Sequence, residues 1–441
     1  MSQSRNNPML SVLKSQKEGK QLGIYSACTG NTLVLEACMC HALETGTPLL
    51  IEATANQVDQ YGGYTGMKPA DFAAMIRRLS EKTGLPMSKI ILGGDHLGPL
   101  IFAHLPEAEA MKESAELIRQ YVAAGFTKIH IDTSMKVASD DPDVRLSDET
   151  ISRRGAELAK VAEETFAEKQ AADPAAIHPV YIVGSEVPIP GGSQDAVDTG
   201  VQVTKVNDFK ATVHAFENAF RSHGLEEAWK HVIAVVVQPG VEEKDSGCTE
   251  YVREKASDLM AAIKEYPALM FEGHSTDYQT KYKLRELVED GVGILKVGPA
   301  LTLALREGLF ALAYAEKEQF ASCPEKQSHF METLDEAMVE DPKYYAKHYH
   351  GTPEEIAIKR KFSFSDRCRY YLPQPKVQSA IDTLFANFED GVPLNLLSQF
   401  RPIQYTKVRE GVLKNDPASL VFDRVANNID EYLFATHQGE L

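Results

Sequence analysis

The chain has 441 residues, 43% of them apolar, and a formal net charge of −17. That length suits one barrel of about 250–320 residues with a smaller domain, and the apolar share is ordinary for a full core. The acidic balance argues against non-specific nucleic-acid binding, and with no run of about twenty apolar residues a membrane span is excluded.

A locally basic pocket for an anionic small substrate stays open within that balance. Six cysteines, at 28, 38, 40, 248, 323 and 368, are scattered and form no CxxC pair. The N-terminus is polar and lacks an apolar signal core. Together these predict a reduced, cytoplasmic setting.

In chain order, 22–27 predicts a first strand and 31–44 a helix. A second strand at 48–52 ends in a polar, Gly-rich loop reaching Gly66. Glu52, Asn56 and Gln60 lie there, with amides and hydroxyls suited to a polyhydroxylated ligand. Phe72, Met75, Ile76 and Leu79 recur at helical spacing. The strand at 89–92 runs into Gly93-Gly94-Asp95-His96-Leu97-Gly98-Pro99. Its glycines let the backbone turn and approach a ligand. Asp95 can serve as general acid/base and His96 as ligand to a divalent cation. The plainer alternative is a capping Asp beside a hydrogen-bonded core His, and the Gly-rich strand end favours the chemistry.

A helix at 107–124 leads to a strand at 128–131. The period of two places His130 and Asp132 on one face, with Ser134 just beyond. Asp132 there orients a ligand or substrate, or belongs to a satisfied polar layer of the core. A helix at 148–170 and a strand at 180–183 follow. Glu186 then offers a carboxylate ahead of a Gly191-Gly192 loop able to close over a ligand. After a helix at 207–222, the strand at 232–237 ends at Gln238 and Glu242, which are possible oxygen ligands or members of a turn around Pro239-Gly240. A helix at 250–265 and a strand at 269–272 lead to His274, a candidate metal ligand. Gly273, Ser275 and Thr276 beside it can cradle phosphate or cap the next helix, at 278–290. The last strand, 294–297, carries Lys296 and Gly298 where barrels often hold phosphate, although a lone Lys in a strand often snorkels. A helix at 301–316 completes the series.

Eight strands alternate with eight helices. Parallel strands need such crossovers, and eight units predict a closed (β/α)8 TIM barrel over 1–320. The alternation stops past Cys323. Residues 321–441 are helical and rich in Tyr, Phe and Lys/Arg, which predicts a helical extension packed on the barrel. The absence of a G-x-S-x-G elbow, a Walker A loop and a strand-linked GxGxxG argues against acyl-transfer, nucleotide and dinucleotide chemistry.

The segments IEATANQVDQYGGYTGM, GGDHLGP, HIDTSM, SEVPIPGG, MFEGHSTDYQ, KVGPAL, SFSDRCRYYLP and LLSQF occur in this order. The set resembles class II, metal-dependent ketose-bisphosphate aldolases. More closely, nearly the whole chain resembles the Z-type subunit family of tagatose-1,6-bisphosphate aldolase. The resemblance implies proton transfer by Asp95, with Glu186 as a second catalytic carboxylate. It implies a divalent ion, zinc by expectation, on His96 and His274 with an oxygen ligand such as Glu242. Substrate contacts then fall on Glu52, Asn56, Gln60, Asp132, Ser134, Gln238, Ser275, Lys296, Gly298 and Arg367. The catalytic aldolases carry a third metal His after strand six, where this chain reads VVVQPGVEEKD. Two functions follow from the resemblance. The first is a metal-dependent sugar-phosphate enzyme of tagatose and galactitol catabolism, epimerising D-tagatose 6-phosphate at C4 to D-fructose 6-phosphate. The alternative is a non-catalytic subunit that supports a catalytic D-tagatose-1,6-bisphosphate aldolase. Expected partners are a phosphorylated ketohexose, that aldolase subunit and further copies of the chain.

Overall fold

In a computed structural model, which describes residues 6–187 and 201–441, eight parallel strands close into a barrel. They are β1 (Ile24–Cys28), β2 (Leu49–Thr54), β3 (Ile90–Leu97), β4 (Lys128–Ile131), β5 (Val180–Val183), β6 (Val232–Val237), β7 (Met270–Gly273) and β8 (Val292–Val297). Each pairs with its sequence neighbour, and β1 closes on β8 through Ile24 opposite Ile294 and Ser26 opposite Lys296. Short apolar runs buried on both faces form the strands, as parallel pairing under a helical layer requires.

The polar N-terminus, to which the sequence assigned no element, carries a helix. Met9–Lys17 is a helix that seals the amino-terminal end of the barrel. Met9 and Val12 pack with Ile24, Leu50, Ile91, Ile233 and Ile294 in one buried cluster. Asn7 ties this plug down by donating to the carbonyls of Thr127 and His178 at 2.7 and 2.9 Å.

Beyond the helix Pro299–Gln319 the chain is helical to its end. The last long helix, Pro417–Thr436, is capped by the Asp416 carboxylate and starts with Pro417. It packs against the barrel helices Thr32–Thr45, Lys281–Asp290 and Pro299–Gln319 and thereby joins the outer ring. Its C-terminal end meets β1: the amide of Gly23 donates to Thr436 and that of Tyr25 to Gln438 Oε1. Among the described residues no helix is long and apolar enough to cross a membrane.

Candidate functional site

The carboxyl ends of β3, β4 and β7 bring three histidines and an aspartate together. In a regular strand Asp95 and His96 would face opposite sides. A register shift between Gly94 and Leu97, with His96 at φ 76°, breaks the alternation and turns both into the mouth. The glycines around them answer to close approaches. A Cβ on Gly93 would lie 2.6 Å from Glu52 Cγ, and one on Gly98 would lie 1.8 Å from the Asp132 carbonyl oxygen. On β4 the period of two runs from Lys128 through His130 to Asp132, so all three point inward. The same period sets Glu272 and His274 at the end of β7.

Each imidazole has one nitrogen fixed by a carboxylate. His96 Nδ1 bonds Asp132 Oδ2 at 2.8 Å, His130 Nδ1 bonds Asp95 Oδ1 at 2.8 Å, and His274 Nε2 bonds Glu272 Oε1 at 2.9 Å. Ser134 steadies Asp132 from behind by donating its hydroxyl at 2.6 Å. The ring centroids form a near-equilateral triangle with sides of 5.0, 4.9 and 5.2 Å. Asp95, His96, His130 and His274 offer ligand atoms that all lie within 4.8 Å of one another. His130 Nε2 is buried with no hydrogen-bond partner, an orphan that a cation at the centre of the triangle would satisfy. Three imidazoles, each backed by a carboxylate, form a donor set that could hold a divalent ion.

The electrostatics suit that use at Asp95 and His274, whereas at His96 burial is outweighed by Asp95 and Asp132, which hold the ring above its ordinary value. Burial opposes ionisation of Asp95, yet His96, Lys296 and His130 hold it well below the usual carboxylate range. Burial likewise opposes Asp132, and the His96 bond still draws it down to about 2. Burial pushes His274 down to about 3 despite Glu272, so its ring is neutral, as a metal ligand must be. Beneath the histidines lies a buried ionic layer. Lys128 meets Glu52 at 2.7 Å and Glu272 at 2.6 Å, and Lys296 meets Asp95 at 2.7 Å and Glu52 at 3.0 Å.

The hollow above is lined by Asn56, Tyr64, Asp95, His96, Glu243, His274, Ser275, Asp277, Lys296, Gly298, Arg369 and Tyr370, among others. Of the sequence candidates, Asn56, Asp95, His96, His274, Ser275, Lys296 and Gly298 therefore meet here. Asp132 and Ser134 stand behind His96, and Glu52 lies below Lys296, where it also accepts from Ser26 at 2.7 Å. Five candidates are placed elsewhere. Gln60 donates to the carbonyl and carboxylate of Glu113. Gln238 Oε1 takes the amides of Gly240 and Val241 at 2.7 and 2.9 Å, so it closes a turn. Glu242 is outside the hollow, because extended backbone alternates and presents its neighbour Glu243 instead. Arg367 donates to the Tyr344 carbonyl at 3.1 Å, and Arg369 lines the hollow in its stead. Glu186, expected as a catalytic carboxylate, is not among the lining residues; it is partly exposed, 3.6 Å from Arg145, and Gly191-Gly192 lie outside the described residues. The third imidazole, sought in the sequence after strand six, comes from β4. The alternation in Lys128-Ile-His130-Ile-Asp132 carried that signal.

The family model described as D-tagatose-1,6-bisphosphate aldolase subunit GatZ/KbaZ-like matches residues 9–437. The D-tagatose-1,6-bisphosphate aldolase subunit GatZ of Salmonella heidelberg is 45% identical over 427 residues, 97% of this chain and 98% of that protein. The same subunit of Salmonella typhimurium is also 45% identical over 427 residues, with the same shares of both chains covered. Among solved structures, a probable tagatose 6 phosphate kinase from Sinorhizobium meliloti superimposes with a TM-score of 0.84 at 41% identity, covering 94% of this chain and 100% of that one.

Proposed function

The chain belongs to the D-tagatose-1,6-bisphosphate aldolase subunit GatZ/KbaZ-like family, and from that premise we propose that it serves as a subunit of a D-tagatose-1,6-bisphosphate aldolase in the cytoplasm. Its barrel mouth, in this reading, holds a divalent ion, zinc by its nitrogen donors, and takes a phosphorylated ketohexose. The near full-length match to subunits of that name supports the role. The six cysteines, none in a disulfide, suit a reducing compartment.

One observation favours a second reading, in which the chain itself converts D-tagatose 6-phosphate to D-fructose 6-phosphate. It is the cluster Asp95, His96, His130 and His274 with its orphaned His130 Nε2. A purely supporting subunit has no use for three converging imidazoles and an ionised aspartate. His96, His130 and His274 would hold the ion, which supplies a Lewis acid for the ketose carbonyl. Asp132 and Glu272 fix the rings. Asp95 accepts the C4 hydroxyl proton as the C3–C4 bond breaks and returns it when the bond re-forms. An aldehyde that turns over in place gives epimerisation at C4, and one that leaves gives aldol cleavage. The two readings thus differ in whether these residues act on the sugar themselves or only support a catalytic partner.

The test is a carbon NMR time course of the purified chain with tagatose 6-phosphate and zinc, alongside metal analysis. The expected metal content is about one ion per chain, falling to near zero in His130→Ala and unchanged in Glu242→Ala. Fructose 6-phosphate formed by the chain alone, and lost in Asp95→Asn, establishes the second reading. A static spectrum, with faster tagatose-1,6-bisphosphate cleavage when the chain is added to a catalytic class II aldolase subunit, establishes the first. Neither result in a folded, metal-loaded chain sinks both.

A further inference from the structure

Among the described residues, Lys296 and Arg369 are the only lysine and arginine lining the hollow. They are not equivalent. Lys296 is enclosed by three carboxylates, with Asp95 at 2.7 Å, Glu52 at 3.0 Å and Glu272 at 3.8 Å. Its charge is spent within the barrel, so it cannot also balance a dianion. Arg369 is held differently. Its guanidinium donates to the carbonyl oxygens of Ser365 and Asp366 and to the Tyr370 hydroxyl, the latter two at 3.1 and 3.0 Å. It lies over the Tyr370 ring at 4.5 Å. Among the described residues no carboxylate is within ion-pairing distance of it. Carbonyls and an aromatic face position a guanidinium without neutralising it.

The fold goes to some length to bring it there. Asp366 sits in the left-handed region at φ 44° and opens the short turn Arg367–Tyr370. That carboxylate is pinned to the helix Pro299–Gln319 by Thr302 at 2.6 Å and Arg306 at 3.0 Å. Tyr370 stacks on Tyr344 at 4.8 Å and meets Tyr64 of the β2 loop edge-on at 4.7 Å. The extension therefore contributes Arg369 and Tyr370 to the hollow that His96 and His274 also line. Asp277 and Glu243 line the same hollow. Asp277 is committed to the amides of Gly298 and Ala300 at 3.0 and 2.8 Å. Glu243 Oε2 is buried without a partner, an acceptor for a sugar hydroxyl rather than for a phosphate.

We propose that Arg369, delivered by the C-terminal extension, is the phosphate anchor of the hollow, so that the phosphorylated end of the sugar points to the extension and its carbonyl end to the histidines. A guanidinium presents paired donors to phosphate oxygens, and such charge-assisted bonds are strong where water is excluded. This rests on the reading that the hollow takes a phosphorylated ketohexose.

The experiment is isothermal titration of the full, zinc-loaded chain with tagatose 6-phosphate and with tagatose. Wild type should prefer the phosphorylated sugar by at least about tenfold. R369Q should cut that preference to less than about threefold, and R369K, which keeps the charge but not the fork, should fall between. R369Q with an undiminished preference overturns the proposal while leaving the function above intact. A wild-type chain that binds no sugar phosphate overturns the function first and this anchor with it. Should R369Q fail to fold, R369K decides, since an unchanged preference in it removes any role for the fork.

Discussion

Asp277 carries a charge problem that a single substitution exposes. It is buried at the head of the helix Pro299–Gln319 and accepts from Gly298 and Ala300. Burial and the neighbouring Glu243 carboxylate push it up to about 7, against the two amides, which pull the other way. The folded chain thus keeps a proton that the unfolded chain loses near pH 4. Between about pH 4 and 7 the native state binds more protons, so stability falls as pH rises, by up to about 1.4 kcal/mol per pH unit. Above that window the cost is complete and the curve flattens. Asp277→Asn keeps an acceptor for the amides and cannot ionise. Urea unfolding from pH 4.5 to 7 should show the falling slope in wild type and its loss in the variant. Equal slopes in the two proteins would dismiss Asp277 as the group responsible.

The elements depend on one another at places where the chain's end meets its beginning. Gln438 is fully buried. Its Oε1 accepts from the Tyr25 amide at 3.0 Å and its amide donates to the Pro48 carbonyl at 2.7 Å, joining the C-terminus to the start of β1 and β2. Gln438→Ala leaves both backbone groups buried and unpaired, and each such orphan costs about 1–3 kcal/mol. A loss of about 2–5 kcal/mol in denaturant unfolding is expected, against less than 0.5 kcal/mol for the exposed neighbour Glu440→Ala. A loss under 1 kcal/mol at Gln438 would show that water reaches these groups. This latch was not legible in the sequence, because nothing local marks a glutamine whose partners lie about 400 residues away. The strands were legible. β4, β5 and β6 begin and end where apolar runs meet turn residues. β3 runs on past the predicted 92 to Leu97, since Gly93 to Asp95 continue pairing with β2. The mouth was legible as a set of polar strand ends, and the choice within it was not. Arg369 rather than Arg367 faces inward because of the left-handed turn at Asp366, and Glu243 rather than Glu242 because of strand alternation. Both depend on a phase that composition does not fix.

At the scale of the molecule, barrel and extension are packed and hydrogen-bonded together. The last helix completes the outer ring, the chain's final turn is hydrogen-bonded to β1, and the turn that carries Arg369 is pinned to the helix after β8. Metal binding gives this a measurable form. The proposed donors His96, His130 and His274 come from β3, β4 and the loop after β7, far apart in sequence, so they converge only in the closed barrel. An ion at 100 times its dissociation constant then stabilises the native state by about 2.7 kcal/mol. Unfolding entropy of about 2.1 cal/mol/K per residue, taken over the whole 441 residues, converts that to a rise of about 3 °C in Tm. Calorimetry of the full chain with zinc and with chelator should give a single transition that moves by this amount, and His130→Ala should hold it at the chelated position. Two separate transitions, with zinc moving only one, would mean that residues 321–441 melt independently. The extension would then be an appendage, and its part in the pocket would have to be built after the barrel has folded.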